Sequence, residues 1–294
     1  MFKPKLRLSI LLIAFSTLVA VSSIWANGVG GRVTGGGTLQ PDTTDQSCIE
    51  VNTTIVPSVV NGFVIDHISH SGTVGAPFNQ LDCGETLDND CITGRWQHTR
   101  YYQGKGRKQE SFSSVGVFDS LNVACLGCCD PSTGAFIPPV IVGALCNPDA
   151  ACGPEPRPAP GNAIIFSGIG QLKSGFEGTT QYVVYRVYIE DRGEPGGFYP
   201  EGAIEPADTY CFQAWKTGIL VSKKPDFSTV ATAFRAALGA ANCDFLESLE
   251  TGALPIGTLP SPTVNGITAD IQDCGPLYSG NEQLQPSTEA ACTP

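Results

Sequence analysis

The sequence predicts a mainly β protein: an antiparallel β-sandwich with long, disulfide-stapled loops and one short helical insertion. Short runs rich in β-branched and aromatic residues recur along the chain and are separated by turn residues. The 34 Gly and 22 Pro among 294 residues disfavour long helices. The 14 Phe, 8 Tyr and 3 Trp supply a core, which argues against a disordered chain.

The strands are expected within one domain that spans residues 27–222. The Gly-rich segment 27–40 should form an extended edge where backbones approach closely. The clearest strand is 181–190, where Val183, Tyr185, Val187 and Ile189 alternate with their neighbours and should share one buried face. The predicted strands are 52–60, 63–69, 92–102, 110–118, 121–126, 163–172, 181–190 and 209–220.

The last part of the chain, residues 223–294, is expected to be a helical and irregular extension packed on the same domain. Residues 226–252 form the only helical pattern, with Phe234 and Leu238 on one face. Gly239 is expected to end the first part of this helix. The last forty residues are polar and rich in turn signals, so they are predicted to be irregular.

Residues 1–26 have the pattern of a secretory signal peptide. Lys3, Lys5 and Arg7 precede an uncharged apolar stretch, and Ala26 would stand immediately before the cut. An N-terminal anchor that is not cleaved stays open as the alternative. No further apolar run of membrane length follows, so we expect a protein that is secreted, extracellular or periplasmic, with no membrane span after cleavage.

The cysteines favour disulfides. An even count behind an export signal is typical of an oxidising compartment. A zinc site at Cys125, Cys128, Cys146 and Cys152 is the alternative, although its second pair is spaced too widely for the usual zinc pattern. The predicted disulfide cysteines are Cys48, Cys83, Cys91, Cys125, Cys128, Cys129, Cys146, Cys152, Cys211, Cys243, Cys274 and Cys292.

Five segments occur in an order that carries a resemblance. They are Gly31-Arg-Val-Thr-Gly-Gly-Gly37, Gly94-Arg-Trp-Gln-His98, Gly153-Pro-Glu-Pro-Arg-Pro-Ala-Pro160, Glu190-Asp-Arg-Gly-Glu-Pro-Gly196 with Asp208-Thr-Tyr210, and Gly280-Asn-Glu-Gln-Leu-Gln-Pro286. Together they resemble a family of secreted bacterial β-rich proteins, often found in a cell-surface context. The resemblance implies a secreted bacterial protein with a β-sandwich-like domain, and it implies no activity.

One candidate binding site lies on the strand at 92–102. Trp96, His98, Arg100 and Tyr102 alternate and therefore share a face, where an Arg and a His beside aromatic rings suit a sugar or a carboxylate. Tyr101 and Trp215 are further candidates for stacking on a sugar. The alternative is that this face is simply packed against other residues of the sheet.

One candidate cofactor is Ca²⁺. Glu190, Asp191 and Glu194 cluster at a strand end, and Asp208 starts the next predicted strand across the loop. Carboxylates in flexible loops are the ligands that Ca²⁺ prefers in extracellular modules. The alternative is a solvated acidic turn.

These patterns predict a non-catalytic, disulfide-stabilised structural or interaction protein of the cell surface or extracellular space, whose partner is a surface glycan or protein. A Ca²⁺-dependent or carbohydrate-binding module is the second hypothesis, and a secreted hydrolase is the third. No G-x-S-x-G motif occurs, and no spacing selects a catalytic triad. The net charge of −11 excludes a strongly basic nucleic-acid binder.

Overall fold

The fold is taken from a computed structural model. The structure describes residues 31–41, 44–45, 52–53, 56–75, 93–104, 108–117, 122–129, 136–138, 140–142, 145–147, 161–192, 208–222, 228–255 and 257–286. Within these ranges the chain is mainly antiparallel β, with one helix, which confirms the predicted mainly β class, while the sandwich arrangement stays a prediction.

Nineteen strands and one helix lie in the described ranges. The first twelve strands are β1 (Gly31–Leu39), β2 (Thr44–Asp45), β3 (Asn52–Thr53), β4 (Val59–Val60), β5 (Phe63–Gly75), β6 (Thr93–Tyr102), β7 (Gln109–Val117), β8 (Asn122–Ala124), β9 (Cys128–Cys129), β10 (Phe136–Ile137), β11 (Val140–Val142) and β12 (Leu145–Asn147). The remaining elements are β13 (Ala163–Ser174), β14 (Thr180–Glu190), β15 (Thr209–Leu220), α1 (Ser228–Glu250), β16 (Thr263–Val264), β17 (Ile267–Thr268), β18 (Ile271–Pro276) and β19 (Ser279–Pro286).

One large antiparallel sheet organises the protein. Its strand order is β18-β15-β14-β13-β7-β6-β5-β1-β19, with β4 added to β5 and β8 added to β13. Half of the ten neighbouring pairs are also consecutive in the chain, as expected for strands joined by short connections. The sheet curls, so that β5 and β6 of one half contact β15 and β18 of the other half across a shared core.

The two ends of the sheet meet where the chain passes from β18 to β19. These strands are consecutive in the chain but lie at opposite ends of the strand order. At the crossing, the Leu277 N–H donates to the Asp208 carbonyl at 2.8 Å, and the Tyr278 N–H donates to the Thr38 carbonyl at 2.8 Å. We call this junction, together with residues 190–192 and 208 that face β19, the seam.

The inner face of the curl is the main core. Val183, Tyr185, Val187 and Ile189 are all fully buried on it, which confirms the predicted face of β14. The opposite face of β14 is buried as well, because α1 packs on the outer side of β13, β14 and β15. This half of the sheet is therefore covered on both sides.

Helix α1 differs from the prediction. It runs without a break for 23 residues and passes through Gly239, which was expected to end its first part. Leu238, Phe245, Leu246 and Leu249 are buried along one stripe that continues past the glycine. Packing of this stripe on the sheet outweighs the roughly 1 kcal/mol that a glycine costs in a helix interior.

Two corrections concern the ends of the domain. The Gly-rich β1 is not an edge, because β19 pairs with it on the side away from β5. The tail, predicted to be irregular, contributes β18 and β19 to the main sheet. Both errors have one origin: β19 matches β1 over eight residue pairs, and that long-range pairing leaves little local signal in a polar, glycine-containing segment.

Among the described residues, no helix is both long enough and apolar enough to cross a membrane.

Candidate functional site

The candidate binding residues of β6 are brought together on the inner face of the curl. Trp96, His98, Arg100 and Tyr102 alternate along β6 and are all buried, with exposed fractions between 0% and 3%. Their contacts are with other residues of the same chain. Their role in binding a ligand therefore stays a prediction, and the structure shows them as a packed sheet face.

Glycines make room for these large side chains. Gly72 lies opposite Trp96 on β5, and a Cβ at this position would lie 2.5 Å from the indole ring. Gly35 lies opposite Glu282, and its Cβ would lie 2.0 Å from the Glu282 carboxylate. Gly72 on β5 thus leaves room for an aromatic side chain in the core, and Gly35 of the Gly-rich segment leaves room for a charged one.

Arg100 and Asp273 form the centre of the buried cluster. Arg100 donates from Nε and Nη2 to the two carboxylate oxygens of Asp273, each at 2.7 Å, and its Nη1 lies 3.4 Å from Glu110. Burial alone would raise the pKa of Asp273, but the charge of Arg100 and hydrogen bonds from His98 and Arg100 outweigh it and lower the pKa to about 2. This two-pronged geometry is the strongest form of an ion pair in proteins.

His98 links this ion pair to Tyr210. Burial lowers the pKa of His98, even though Asp273 opposes the shift, so the imidazole is neutral. With its proton on Nε2, His98 donates to Asp273 at 2.8 Å and accepts at Nδ1 from the Tyr210 hydroxyl at 3.1 Å. Trp96 completes the chain by donating from Nε1 to the Tyr210 oxygen at 3.2 Å.

A second buried pair lies beside the first. His70 Nε2 lies 2.5 Å from Glu282 Oε1, and the His70 ring stacks on Tyr210 with 3.6 Å between centroids. His70 is opposite His98 on the neighbouring strand. Within the described part of the chain, His70 Nδ1 and Glu282 Oε2 have no hydrogen-bond partner.

Most polar groups of this cluster already have hydrogen-bond partners within the protein. Histidine, carboxylate and tyrosine side chains are also the groups used in acid–base catalysis. Here His98 uses both ring nitrogens, and Asp273 uses both oxygens, for contacts inside the protein. A substrate would reach them only if the curled sheet opened.

Three of the four candidate calcium residues, Glu190, Asp191 and Asp208, lie at the seam. Asp208 accepts hydrogen bonds from the Arg192 N–H at 2.9 Å and the Glu282 N–H at 2.7 Å, and Asp191 accepts from the Leu284 N–H at 2.8 Å. Burial raises the pKa of Asp208 to about 7, against the opposing effect of its two backbone donors. These two aspartates bind the free edge of β19.

Glu190 has its own partners in the same region. It accepts from the Tyr188 hydroxyl at 2.5 Å and forms an ion pair with Arg192. Glu194 lies outside the described residues. In the ranges that are described, no three His, Cys, Asp or Glu side chains come close enough together to hold a metal ion, and the calcium site stays a prediction.

Disulfides are present, as predicted. Cys125 is bonded to Cys146, and Cys211 is bonded to Cys274 directly across β15 and β18. No cysteine of the described ranges is free. The bond between Cys125 and Cys146 removes two of the four thiolates that the zinc alternative requires. The cysteines at positions 48, 83, 91, 152 and 292 lie outside the described residues.

Sequence reasoning missed the partners of the β6 face. Asp273 and Glu282 lie in the segment that was expected to be irregular, and Tyr210 was noted only as part of a motif. A signal for Asp273 exists, because Ile271, Asp273 and Gly275 alternate with Gln272 and Cys274 around a predicted disulfide cysteine. Reading 271–276 as a strand would have placed Asp273 on an inner face.

Arg186 was also missed, and it anchors α1 and the 260–261 segment to the outer face of the sheet. Its guanidinium donates to the side chains of Gln213 and Asn242 and to the Ser261 carbonyl. Burial lowers its pKa to about 10. Its neighbours in these contacts are neutral, so Arg186 is a buried cation held by dipoles.

The comparisons with known proteins add no relative. No family model matches the chain, and neither a curated protein nor a solved structure is significantly similar to it.

Proposed function

We propose that this protein is exported and acts, without catalysis, as a disulfide-stabilised structural or interaction protein of the cell surface or extracellular space. The observation that carries the proposal is the Arg100–Asp273–His98–Tyr210 network. It uses a histidine, a carboxylate and a tyrosine, which are groups suited to acid–base chemistry, for contacts that join the two halves of the curled sheet. Function is then left to the outer surface.

The disulfides support the exported part of the proposal. Structural disulfides persist in oxidising compartments and are rare where thiols are kept reduced. Cys211–Cys274 joins the strand that carries Tyr210 to the strand that carries Asp273, so it fixes the pairing of the two strands that supply these residues to the buried network. Membership of the secreted bacterial β-rich family, and cleavage after Ala26, remain predictions that agree with this role.

The test of the non-catalytic part is an activity screen with a built-in control. The exported protein, purified with its disulfides intact, is incubated with fluorogenic esters, glycosides and peptides and with a fluorophosphonate probe. We expect no turnover above the buffer rate. Turnover that disappears in Tyr210→Phe, while the variant melts at the same temperature as wild type, would show that the network is catalytic and would reject the proposal.

The test of export is made on the same chain. We expect the full sequence, expressed in a bacterial host with its first 26 residues, to be recovered outside the cytoplasm with no cysteine open to alkylation. Recovery of the folded protein in the cytoplasm with several alkylated thiols would contradict it.

A further inference from the structure

The outer face of the sheet has two halves of different character. Where α1 covers it, at β13, β14 and β15, the outward residues include Ile165, Tyr188 and Trp215, which are buried. Over β19, β1, β5, β6 and β7 most outward residues are polar and many are exposed, with the 61% exposed Val115 on β7 as an apolar exception. In this second half the strands pair without a bulge through the rows of side chains described below, so opposed residues stay aligned from strand to strand.

The polar half is built as three rows of side chains that cross the strands. Directly opposed residues of paired strands point to the same face, and the pairing gives rows of hydroxyls and amides. The first row is Ser279, Thr38, Ser69, Thr99, Ser111 and Lys173. We call the three rows together the hydroxyl–amide face.

The second and third rows continue the pattern. The second row contains Asn281, Ser71, Gln97, Ser113 and Gln171. The third row contains Gln283, Thr34, Thr73 and Arg95.

Part of this face is fixed by its own hydrogen bonds. The hydroxyls of Thr38 and Ser279 lie 2.7 Å apart, and Gln285 donates to Gln283 at 3.2 Å. Neighbouring strands lie about 4.8 Å apart, so polar groups recur across the sheet at close to the repeat length of one sugar residue in an extended polysaccharide. Side chains held in such an array lose little freedom when they bind a repeating polymer.

The charge of the face is opposite to that of the chain. The sequence has 28 acidic and 17 basic residues, yet the three rows contain Arg95 and Lys173, both exposed, and no carboxylate. Asp66, further along β5, is paired with His67 at 3.0 Å. A solvated face of an acidic protein normally mixes both signs, so three rows that have hydroxyls, amides and cations alone point to an anionic partner rich in hydroxyl groups.

We infer that the hydroxyl–amide face, formed by β19, β1, β5, β6, β7 and the end of β13 at Gln171 and Lys173, binds an acidic polysaccharide. Sugar hydroxyls pair with the Ser, Thr, Gln and Asn side chains, and the carboxylates of the polymer pair with Arg95 and Lys173. This inference rests on the proposed role as an exported interaction protein and names the class of its partner. The proposed binding surface lies on the opposite face of β6 from Trp96, His98, Arg100 and Tyr102.

The test uses alginate as the acidic probe and dextran as the neutral one, in affinity electrophoresis and calorimetry of the exported protein at 0.15 M salt. Gln97→Glu places a negative charge at the centre of the face, and Lys173→Ala removes a cation at its border. The matched controls are Gln103→Glu and Lys216→Ala, which make the same changes at exposed positions outside the three rows.

We expect alginate to bind wild type at least tenfold more tightly than dextran. Gln97→Glu and Lys173→Ala should each weaken alginate binding at least fivefold, while the two controls stay within twofold. No binding of alginate, equal binding of dextran, or equal loss in test and control variants would overturn the inference. None of these outcomes touches the export and activity tests, so a failure here is distinguishable from a failure of the proposed function.

Discussion

The carboxylate of Asp208 accepts a hydrogen bond from the backbone N–H of Glu282, 74 positions further along the chain. In a sheet that continued beyond β19, the backbone of a further strand would accept this hydrogen bond. Because β19 pairs with β1 on one side only, the outward N–H groups of Glu282 and Leu284 need other acceptors, and the side chains of Asp208 and Asp191 supply them. The side chains of Asp208 and Asp191 thus take the place of the backbone acceptors of a neighbouring strand and join the two ends of the curled sheet.

The first prediction concerns this seam. Asp208→Ala removes the acceptor for the Glu282 and Arg192 N–H groups, and leaving buried donors unpaired costs about 1–3 kcal/mol each. We expect urea unfolding to show a loss of about 2–4 kcal/mol. Asp208→Asn retains one of the two acceptor oxygens and should lose about half of that. Equal stability of Asp208→Ala and wild type would show that the seam is not held by this carboxylate.

The second prediction concerns the buried ion pair between Arg100 and Asp273 and measures what an unpaired charge in the core costs in stability. Asp273→Asn leaves the buried guanidinium of Arg100 without its main counter-charge, and breaking a buried pair in this way costs about 3–5 kcal/mol. We expect that loss in urea unfolding at pH 7. Asp270→Asn, an exposed change three residues earlier, should stay within about 0.5 kcal/mol of wild type.

A double variant sharpens this comparison. Arg100→Met with Asp273→Leu removes both charges and should recover more than half of the loss, because the cost lies in an unpaired charge and not in the absence of the pair. A double variant as unstable as Asp273→Asn would contradict that account.

The third prediction is a dependence on pH. The folded pKa of Asp273 is lowered from 3.8 to about 2, so the unfolded chain binds more protons than the folded protein between these values. Its contribution to stability is present above about pH 4 and is lost as the pH falls towards 2, and it amounts to roughly 2–3 kcal/mol. The measurement is the difference between wild type and Asp273→Asn in unfolding free energy, which should shrink by that amount over this window. A constant difference would show that Asp273 titrates normally.

The sequence predicts the fold where the signal is local and misses it where the signal is a long-range partner. The alternation of Val183, Tyr185, Val187 and Ile189 is visible in ten residues, and the structure buries all four. Nothing nearby marks Asp273 as a core residue, because its partner Arg100 lies 173 positions away. The tail therefore reads as irregular until its pairing with β15 and β1 is known.

The candidate site shows the same limit at a finer level. The period of two correctly groups Trp96, His98, Arg100 and Tyr102 on one face of β6, and Arg95, Gln97 and Thr99 on the other. Which face turns inward depends on the direction in which the sheet curls. That direction is set by the whole strand order and by space at Gly35 and Gly72, so alternation alone does not reveal it.

The fourth prediction tests the register of β14. Val187→Asp places a carboxylate without a partner in the core between β13 and β15, where burying it is too costly for the fold. We expect no folded protein to accumulate. Val115→Asp is the matched control, because this valine is 61% exposed on β7, and the variant should express and melt as wild type does. Normal melting of Val187→Asp would mean that the strand or its register is assigned wrongly.

The fifth prediction concerns the bond between Cys211 and Cys274. It closes a loop with a sequence separation of 63 and joins the strands that carry Tyr210 and Asp273. A native disulfide of this kind typically contributes about 2–5 kcal/mol, mainly by restricting the unfolded chain. We expect the double variant Cys211→Ala with Cys274→Ala to unfold at a correspondingly lower urea concentration. The buried network should persist in the folded variant. The variant should therefore still lose the stability contributed by Asp273 as the pH falls from about 4 towards 2, wherever it remains folded. If a variant that is still folded no longer shows this pH dependence, then the disulfide, and not the packing of the two halves, holds Asp273 against Arg100.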